Sequence, residues 1–148
     1  MKKSLLLLIA IAVAGIAKSQ TYGEYDLGYV VNPLNSNAAM MSLHFGYQLN
    51  NVADPNVIAI AEYDQRALTG GVSPVYFGGR LGLGYITGEY TSFALLGGRY
   101  FRLISGDDKT KNYWINGGGV QFLYKSLVLE VSKVEYFQVS VGCHYSFE

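Results

Sequence analysis

The fold is decided by the last strand-like stretch of the chain, residues 135–147, which reads EYFQVSVGCHYSF. Its odd positions from Phe137 to Phe147 are apolar or aromatic, whereas its even positions carry Tyr, Gln, Ser, Gly and His. Alternation with a period of two predicts a strand whose two faces meet different surroundings. The apolar face points either to the core of a soluble protein or to lipid, and the rest of the sequence decides between them.

Strand-like segments followed by turn signals recur along the chain, with no linker between them, which predicts a single domain. Eight strands are predicted, at Tyr22–Val31, Ala38–Leu49, Asn56–Tyr63, Val75–Ile86, Glu89–Ile104, Lys111–Tyr124, Ser126–Ser132 and Glu135–Phe147. Short connections at Thr87-Gly88 and Lys125 alternate with longer polar segments at 32–37, 64–74 and 105–110. Short turns at one rim and longer loops at the other are typical of membrane-spanning barrels.

The first twenty residues, MKKSLLLLIAIAVAGIAKSQ, have the layout of a secretory signal peptide. Lys2 and Lys3 precede an apolar run at 5–16, and Ala17-Lys18-Ser19 offers a small-x-small cleavage site. The apolar run is shorter than the roughly 20 residues that a membrane-spanning helix needs. We therefore expect a signal peptide at 1–19, export through the Sec pathway and a mature domain at 20–148.

The composition excludes several classes of function. Without the leader the chain has 8 basic and 11 acidic residues and no basic patch, which argues against a nucleic-acid partner. Charged residues make up 15% of the sequence, against about 25% in ordinary soluble domains. The single Cys cannot form an internal disulfide.

The polar faces of the predicted strands identify the interior. They carry Gly, Ser, Gln and His with isolated charges and almost no Lys, unlike a sheet surface that faces water. Small residues with a few charges of both signs suit the narrow interior of a closed barrel. The opposite faces are apolar, with Tyr and Phe near strand ends, which is typical of a lipid-facing band. The sequence predicts an all-β, closed, eight-stranded, antiparallel up-and-down transmembrane barrel; the alternative is a soluble, lipocalin-like barrel that binds an apolar ligand.

Three strands leave the direction of their side chains open. The third is apolar on both faces around Val57–Ala61, so its orientation depends on Glu62 alone. The sixth is consistent only if Gly117–Gly119 holds a β-bulge. The fifth leaves Arg99 ambiguous beside Gly97-Gly98.

With its leader, its eight alternating strands and an aromatic residue, Phe147, near its end, the chain resembles the small eight-stranded outer-membrane β-barrel proteins, of the OmpA transmembrane-domain and OmpX-like type. In that group the terminal aromatic is usually the last residue and is read by the barrel-assembly machinery, whereas here Glu148 follows it. The resemblance implies a monomer in the outer membrane of a Gram-negative cell, in contact with outer-membrane lipid and, during biogenesis, with the assembly machinery.

The charged residues of the polar faces predict an interior network that fills the lumen. Its expected members are Glu24, Asp26, His44, Glu62, Arg80, Arg99 and Glu130. Polar residues of the longer connections are expected in surface loops: Asn32, Asn35, Asn37, Asp107, Asp108 and Lys109. We expect no cofactor and no metal, because the two His and the Cys do not form a ligand set.

One pair of residues suggests chemistry. His144 and Ser146 lie two positions apart on one strand face, and Glu130 follows on the neighbouring strand. A His that activates a Ser is a hydrolase arrangement, and outer-membrane lipid A deacylases carry a similar His-x-Ser pair. Since the alternation points both side chains into the lumen, away from lipid, we expect no enzyme, and the lipid hydrolase remains an alternative.

Overall fold

The computed structural model describes residues 19–31, 38–50, 56–69, 74–104 and 112–147. They form eight strands: β1 Ser19–Val31, β2 Ala38–Asn50, β3 Val57–Thr69, β4 Pro74–Gly88, β5 Thr91–Ile104, β6 Tyr113–Tyr124, β7 Leu127–Val134 and β8 Tyr136–Phe147. Among these described residues no helix is long and apolar enough to cross a bilayer. The predicted leader, apart from Ser19, and the predicted surface-loop residues lie outside the described ranges.

The strands form a closed barrel in which each strand pairs antiparallel with the next along the chain. The barrel is closed by β1 and β8, which pair from Thr21 with Phe147 to Val31 with Phe137. The prediction of an eight-stranded, antiparallel, up-and-down barrel is therefore confirmed.

Side chains alternate between the interior and the outer surface along each strand. In β7 the odd positions Leu127, Leu129 and Val131 are exposed, and Val128 and Glu130 between them are buried. The outer surface is an apolar belt, and near the middle of β4 the belt residue Leu81 is 70% exposed. A soluble barrel would enclose its apolar face, so this distribution is the one required of a barrel whose outside meets lipid.

Aromatic residues border the belt at both ends of the barrel. At the end with the short turns, exposed rings belong to Tyr47, Tyr85, Phe93, Tyr124, Tyr145 and Phe147. At the opposite end they belong to Tyr29, Trp114 and Phe137. Such girdles lie at the level of lipid headgroups, because a ring can contact hydrocarbon and water at once.

The structure corrects two sequence-based predictions. The third strand does not end at Tyr63 but continues to Thr69, because Asp64, Arg66 and Leu68 keep the alternation and point inward. Gly117–Gly119 holds no bulge, since β6 pairs with β5 in continuous register through the three glycines.

The prediction that Arg99 belongs to the interior network is also wrong. Arg99 is exposed, and its neighbour Tyr100 takes the inward position. The Arg99 guanidinium lies 5.3 Å from the centre of the outward-facing Trp114 ring. A cation over an aromatic face is stabilised by the ring quadrupole, which accounts for an arginine on the outer surface.

The interior has three layers. An apolar cluster of Val30, Met40, Leu68, Tyr76, Tyr100 and Val134 lies toward the end with the long connections. A second apolar cluster, of Tyr22, Ile58, Ile60, Ala94 and Leu96, lies toward the end with the short turns. The buried charged residues lie between these two clusters, so the polar site occupies the middle of the barrel.

Candidate functional site

The middle layer, here called the lumen cluster, is built from alternate positions of five strands. It contains Glu24 and Asp26 of β1, His44 of β2, Glu62, Asp64 and Arg66 of β3, Arg80 of β4 and Glu130 of β7. Every one of these side chains is buried. Strand register aligns them, since Glu24 is paired with His44, His44 with Asp64, and Glu62 with Arg80.

Glycine makes room for the cluster at two positions. Gly98 pairs with Arg80, and a Cβ atom there would lie 2.9 Å from the Arg80 Cγ atom. Gly142 pairs with Asp26, and a Cβ atom there would lie 1.8 Å from Asp26 Oδ1. At both sites a charged side chain lies close against the backbone of the next strand, where only glycine leaves room for it.

Glu130 connects opposite walls of the barrel. Arg66 Nη2 donates to Glu130 Oε1 at 2.7 Å, and Arg80 Nη1 donates to Glu130 Oε2 at 2.6 Å. In a ring of eight strands β3 and β7 are four strands apart, so the Arg66 contact crosses the full width of the lumen. Both carboxylate oxygens are bonded to guanidinium groups, the strong form of a buried ion pair.

The two arginines use their remaining donors within the same layer. Arg66 Nε donates to Asp64 Oδ2 at 2.8 Å, and its Nη1 donates to Ser132 and Gln138 at 2.7 and 2.5 Å. Arg80 donates from Nε to Glu62, and its Nη2 lies 2.7 Å from His44 Nδ1.

Tyrosine and glutamine side chains complete the hydrogen bonds of the carboxylates. Tyr22 donates to Glu62 at 2.5 Å and Tyr100 donates to Asp64 at 2.8 Å. Gln121 donates to both oxygens of Glu24, at 3.0 and 3.2 Å. Tyr22 and Tyr100 belong to the two apolar clusters and Gln121 to β6. Hydrogen bonds therefore connect the polar layer to both clusters and to the far wall of the barrel.

The barrel is similar to the outer membrane protein Ail of Yersinia pestis in a phospholipid bilayer nanodisc, with a TM-score of 0.54 and 16% sequence identity over 87% of this chain and 99% of that one. The fold is that of a small eight-stranded outer-membrane β-barrel. A barrel from the de novo design of transmembrane β-barrels gives a TM-score of 0.54 and 16% identity, over 86% of this chain and 95% of that one. A crystal structure of Ail gives 0.50 and 18%, over 87% and 97%.

These identities are low, so the likeness concerns the fold. The natural neighbour is an outer-membrane protein, which agrees with the location predicted from the sequence. No protein-family model and no curated protein matches the chain.

The structure locates each residue that the sequence nominated for the site of this outer-membrane barrel. Six of the seven network residues are buried in the lumen cluster: Glu24, Asp26, His44, Glu62, Arg80 and Glu130. The sequence missed Asp64 and Arg66, because three consecutive polar residues, Asp64-Gln65-Arg66, read as the start of a loop. The signal that was available is their spacing from Glu62, since positions 62, 64 and 66 share one face of a strand.

The proposed His-x-Ser arrangement does not assemble with its orienting acid. His144 stacks on Tyr22 with ring centres 4.7 Å apart, and its Nδ1 lies 3.6 Å from Glu24 Oε2. Ser146 is exposed near the end of β8. Glu130, the nominated orienter, is instead bonded to the two arginines in the middle of the barrel.

A metal-ligand set that the sequence did not suggest is present in the cluster. His44 meets carboxylates on both of its ring nitrogens, and two groups of three bring ligand atoms within 4.8 Å of one another: Glu24, His44 and Glu62, and Asp26, His44 and Glu130. The expectation of no metal rested on the two His and the Cys, did not consider carboxylates, and stays a prediction. Barrel closure brings carboxylates of three strands, β1, β3 and β7, around one imidazole, and no local feature of the sequence indicates that arrangement.

A separate polar group lies at the rim with the long connections. Glu135, between β7 and β8, has a positive φ of 64°. Its carboxylate accepts hydrogen bonds from Tyr76 and Tyr113, both at 2.7 Å, and lies 2.9 Å from Arg102 Nε. This rim group ties the shortest connection of that rim to β4, β5 and β6.

Proposed function

We propose that this protein is a monomeric outer-membrane barrel whose lumen is filled by its own side chains and carries neither an open pore nor a catalytic site. Its role is then structural or interactive, in envelope integrity or in surface contacts made by the loops. The observation that carries the proposal is the pair of arginine contacts to Glu130, which join opposite walls across the lumen.

Three features support a filled lumen. The cross-lumen contacts occupy the width of the barrel, and an apolar cluster lies on each side of them along the axis. An eight-stranded barrel is just wide enough for side chains to fill its interior. A water path would have to pass both apolar clusters and break charge-assisted hydrogen bonds, which are about twice as strong as neutral ones.

The surroundings of the nominated catalytic residues support a non-enzymatic role. A Ser-His hydrolase needs its imidazole oriented by an acid and within hydrogen-bond reach of the nucleophile. His144 instead contacts Glu24 and the Tyr22 ring. Its orientation is that of a residue that fills the lumen near the rim.

The partners that we propose follow from the two surfaces. The apolar belt with its aromatic girdles would contact outer-membrane lipid, and the aromatic Phe147 near the end of β8 would engage the barrel-assembly machinery. The polar segments around Asn32–Asn37 and Asp107–Lys109 would make any contact outside the cell.

Conductance in planar lipid bilayers tests the filled lumen. The mature barrel should give no discrete channel steps, and Glu130→Ala should introduce them, since it removes the acceptor shared by both arginines. Glu135→Ala is the matched control, because it removes a carboxylate at the rim and leaves the cross-lumen contacts in place. Steady open-channel current through the unmutated barrel would contradict the proposal.

Cell fractionation and lipid analysis test the remaining parts. The protein should remain in the outer-membrane fraction and show a heat-dependent gel shift, and recovery from the soluble periplasm without detergent would overturn the location. Expression of the unmutated chain and of Ser146→Ala should give identical lipid profiles. Release of acyl chains by the unmutated chain alone would establish a hydrolase instead.

A further inference from the structure

The outer surface of the barrel carries charge on one wall. Among the described residues, the charged side chains that point outward from a strand are those of Arg99 on β5 and Lys133 on β7, and both are exposed. Asn116, also exposed, lies on β6 between them. These three residues, here called the cationic patch, interrupt a belt whose other described outward-facing strand positions are uncharged.

Strand register brings the three side chains of the cationic patch together. Arg99 is paired with Asn116 across β5 and β6. Lys133 is paired with Gly118, the next outward-facing position of β6 after Asn116. Because neighbouring strands lie about 4.8 Å apart, the Cα atoms of the two cations are roughly 11 Å apart. Their long side chains can therefore reach one group that lies between them.

Glycine leaves space on the surface beside each cation. Gly79 is paired with Arg99, and Gly97 is paired with Gly118. A Cβ atom at Gly97 would meet nothing within 4 Å, and one at Gly79 would meet a single backbone oxygen, 3.7 Å away. Two surface depressions adjoin these glycines, with volumes of about 460 Å³ beside Arg99 and about 450 Å³ beside Lys133. The outer surface is therefore concave where it carries charge.

Neither cation has an anionic partner among the described residues. Arg99 and Lys133 form no hydrogen bond or ion pair there, and each contacts an aromatic ring instead. The Arg99 guanidinium lies 5.3 Å from the centre of the Trp114 ring, and the Lys133 ammonium lies 5.5 Å from that of Phe137. Glu135, two positions after Lys133, is bonded within the rim group. The donors of both cations are therefore available to an anion.

The aromatic rings locate the cationic patch near the lipid headgroups. Trp114 and Phe137 belong to the girdle at the end with the long connections, and such girdles lie at the membrane interface. Trp114 is one outward-facing position beyond Asn116 toward that end, so the ring draws the Arg99 guanidinium away from the middle of the belt. Since the longer loops of outer-membrane barrels are extracellular, the patch lies in the outer leaflet.

We propose that the cationic patch binds the phosphate-bearing headgroup of a lipid in the outer leaflet. A guanidinium forms bidentate, charge-assisted hydrogen bonds with phosphate, and an ammonium adds a point charge. The Asn116 amide supplies a further donor between the two cations. The depression over Gly97 and Gly118 would hold the adjoining part of an acyl chain. A lipid thus matches both the charge and the apolar surroundings of the patch.

The position of the patch favours a lipid over a protein partner. Arg99 lies well inside β5, which continues to Ile104, so the patch is on the wall of the barrel and not on its loops. A protein segment that reached this depth would expose backbone N–H and C=O groups to hydrocarbon, where nothing satisfies them. A lipid already occupies this depth. The inference concerns the outer surface alone and does not depend on the filled lumen.

Fluorescence quenching of the single tryptophan tests the proposal, because Trp114 lies next to Arg99. The mature barrel is refolded in phosphatidylcholine vesicles that contain increasing fractions of brominated phosphatidic acid or of brominated phosphatidylcholine. We expect phosphatidic acid to be preferred about tenfold at this site, because each cation near the membrane surface attracts anionic lipid. The double variant Arg99→Gln, Lys133→Gln should lose the preference, since it keeps the polar side chains and removes both charges.

Lys125→Gln is the matched control. Lys125 is also exposed and lies over the rings of Tyr90 and Tyr124, but at the opposite end of the barrel. Its substitution should leave the preference at Trp114 unchanged. A heat-dependent gel shift verifies that each variant is folded, and quenching is compared between the two lipids within each variant.

Three results would overturn the proposal. The first is equal quenching by the two lipids in the unmutated barrel, which would favour a partner other than lipid. The second is an unchanged preference in the double variant. The third is loss of the preference when excess inorganic phosphate is present on both sides of the membrane, because the patch would then bind soluble phosphate. Conductance is measured separately, so none of these results bears on the filled lumen.

Discussion

The inside and the outside of this barrel are built from alternate residues of the same strands, yet they solve opposite problems. Inside, eight charged or ionisable side chains are buried, and Arg66 and Arg80 pair with carboxylates across up to the full width of the lumen. Outside, on the strand that carries Arg80, Leu81 and Leu83 are 70% and 64% exposed. The comparison teaches that the environment, and not the strand, decides which residues are stable on each face.

Arg80 of β4 points into the lumen and Arg99 of the neighbouring β5 points outward, so substitutions at these two positions compare the inside with the outside directly. Arg80→Leu leaves Glu62 without its guanidinium partner and Glu130 with Arg66 alone, and we expect the free energy of unfolding to fall by about 3–5 kcal/mol. Arg99→Leu removes a charge from the lipid-facing surface and should change stability by about 0–1 kcal/mol, in either direction. Denaturant unfolding in lipid, followed by the fluorescence of the single Trp114 for Arg80→Leu and by circular dichroism for both, measures the difference. Equal losses of stability in the two variants would contradict the assignment of Arg80 to the lumen and of Arg99 to the outer surface.

A charge placed in the belt tests the outside. Leu81→Arg, near the middle of β4, should lower the free energy of unfolding by about 2–4 kcal/mol, because lipid cannot solvate the guanidinium there. Leu127→Arg, at the first position of β7, should cost only about 0–1 kcal/mol, since that end reaches the interface. The same unfolding experiment in bilayers checks the gradient, and its absence would argue against the assigned position of the belt.

Two glycines test how tightly the inside is packed. Gly142→Ala places a methyl group against Asp26, and we expect a loss of about 1–3 kcal/mol from overpacking. Gly97→Ala, on the outer surface, meets nothing within 4 Å and should be close to neutral. Thermal unfolding of the two variants in one detergent gives the comparison directly, and a neutral Gly142→Ala would show that the cluster can rearrange.

The smallest effect is expected at the rim group. Its Arg102–Glu135 pair has side chains that are 15% and 18% exposed, so water and salt screen it. Glu135→Gln should therefore lower the free energy of unfolding by about 1 kcal/mol or less, and added salt should shrink the loss further. A loss as large as that of Arg80→Leu would show that the rim group stabilises the fold as strongly as the buried ion pairs of the lumen cluster.

Much of this organisation could be predicted, because alternation along a strand is written in consecutive residues. The last strand shows this best, since from Phe137 to Tyr145 its odd positions are exposed and the even positions between them are buried or half-buried, as the alternation predicts. Alternation also nominated Glu24 and Glu130 for the interior, though they are more than a hundred positions apart. Alternation shows which residues share one face of a strand, and in a closed membrane barrel each face points either into the lumen or to lipid.

The partners of those side chains could not be predicted, because they are set by closure and register. No local feature brings Arg66 to Glu130, since the contact depends on β3 and β7 lying opposite each other in the closed ring. The same limit explains the unforeseen ligands around His44. Arg99 was misplaced for a different reason: Gly97-Gly98 interrupt the pattern of β5, and the aromatic partner that favours the outer position, Trp114, lies on another strand.

The seam between β1 and β8 has a consequence for the order in which this protein assembles. It joins residues as far apart in sequence as Thr21 and Phe147, so it closes the longest loop of the chain, and such contacts form slowly. Until the seam closes, β3 and β7 lie in an open sheet and cannot approach, so Arg66 and Glu130 stay in water. The charged side chains then lose their water only when β1 pairs with β8. An intermediate that has not closed this seam keeps a hydrated, charged sheet face, which is unfavourable in the hydrocarbon of the bilayer.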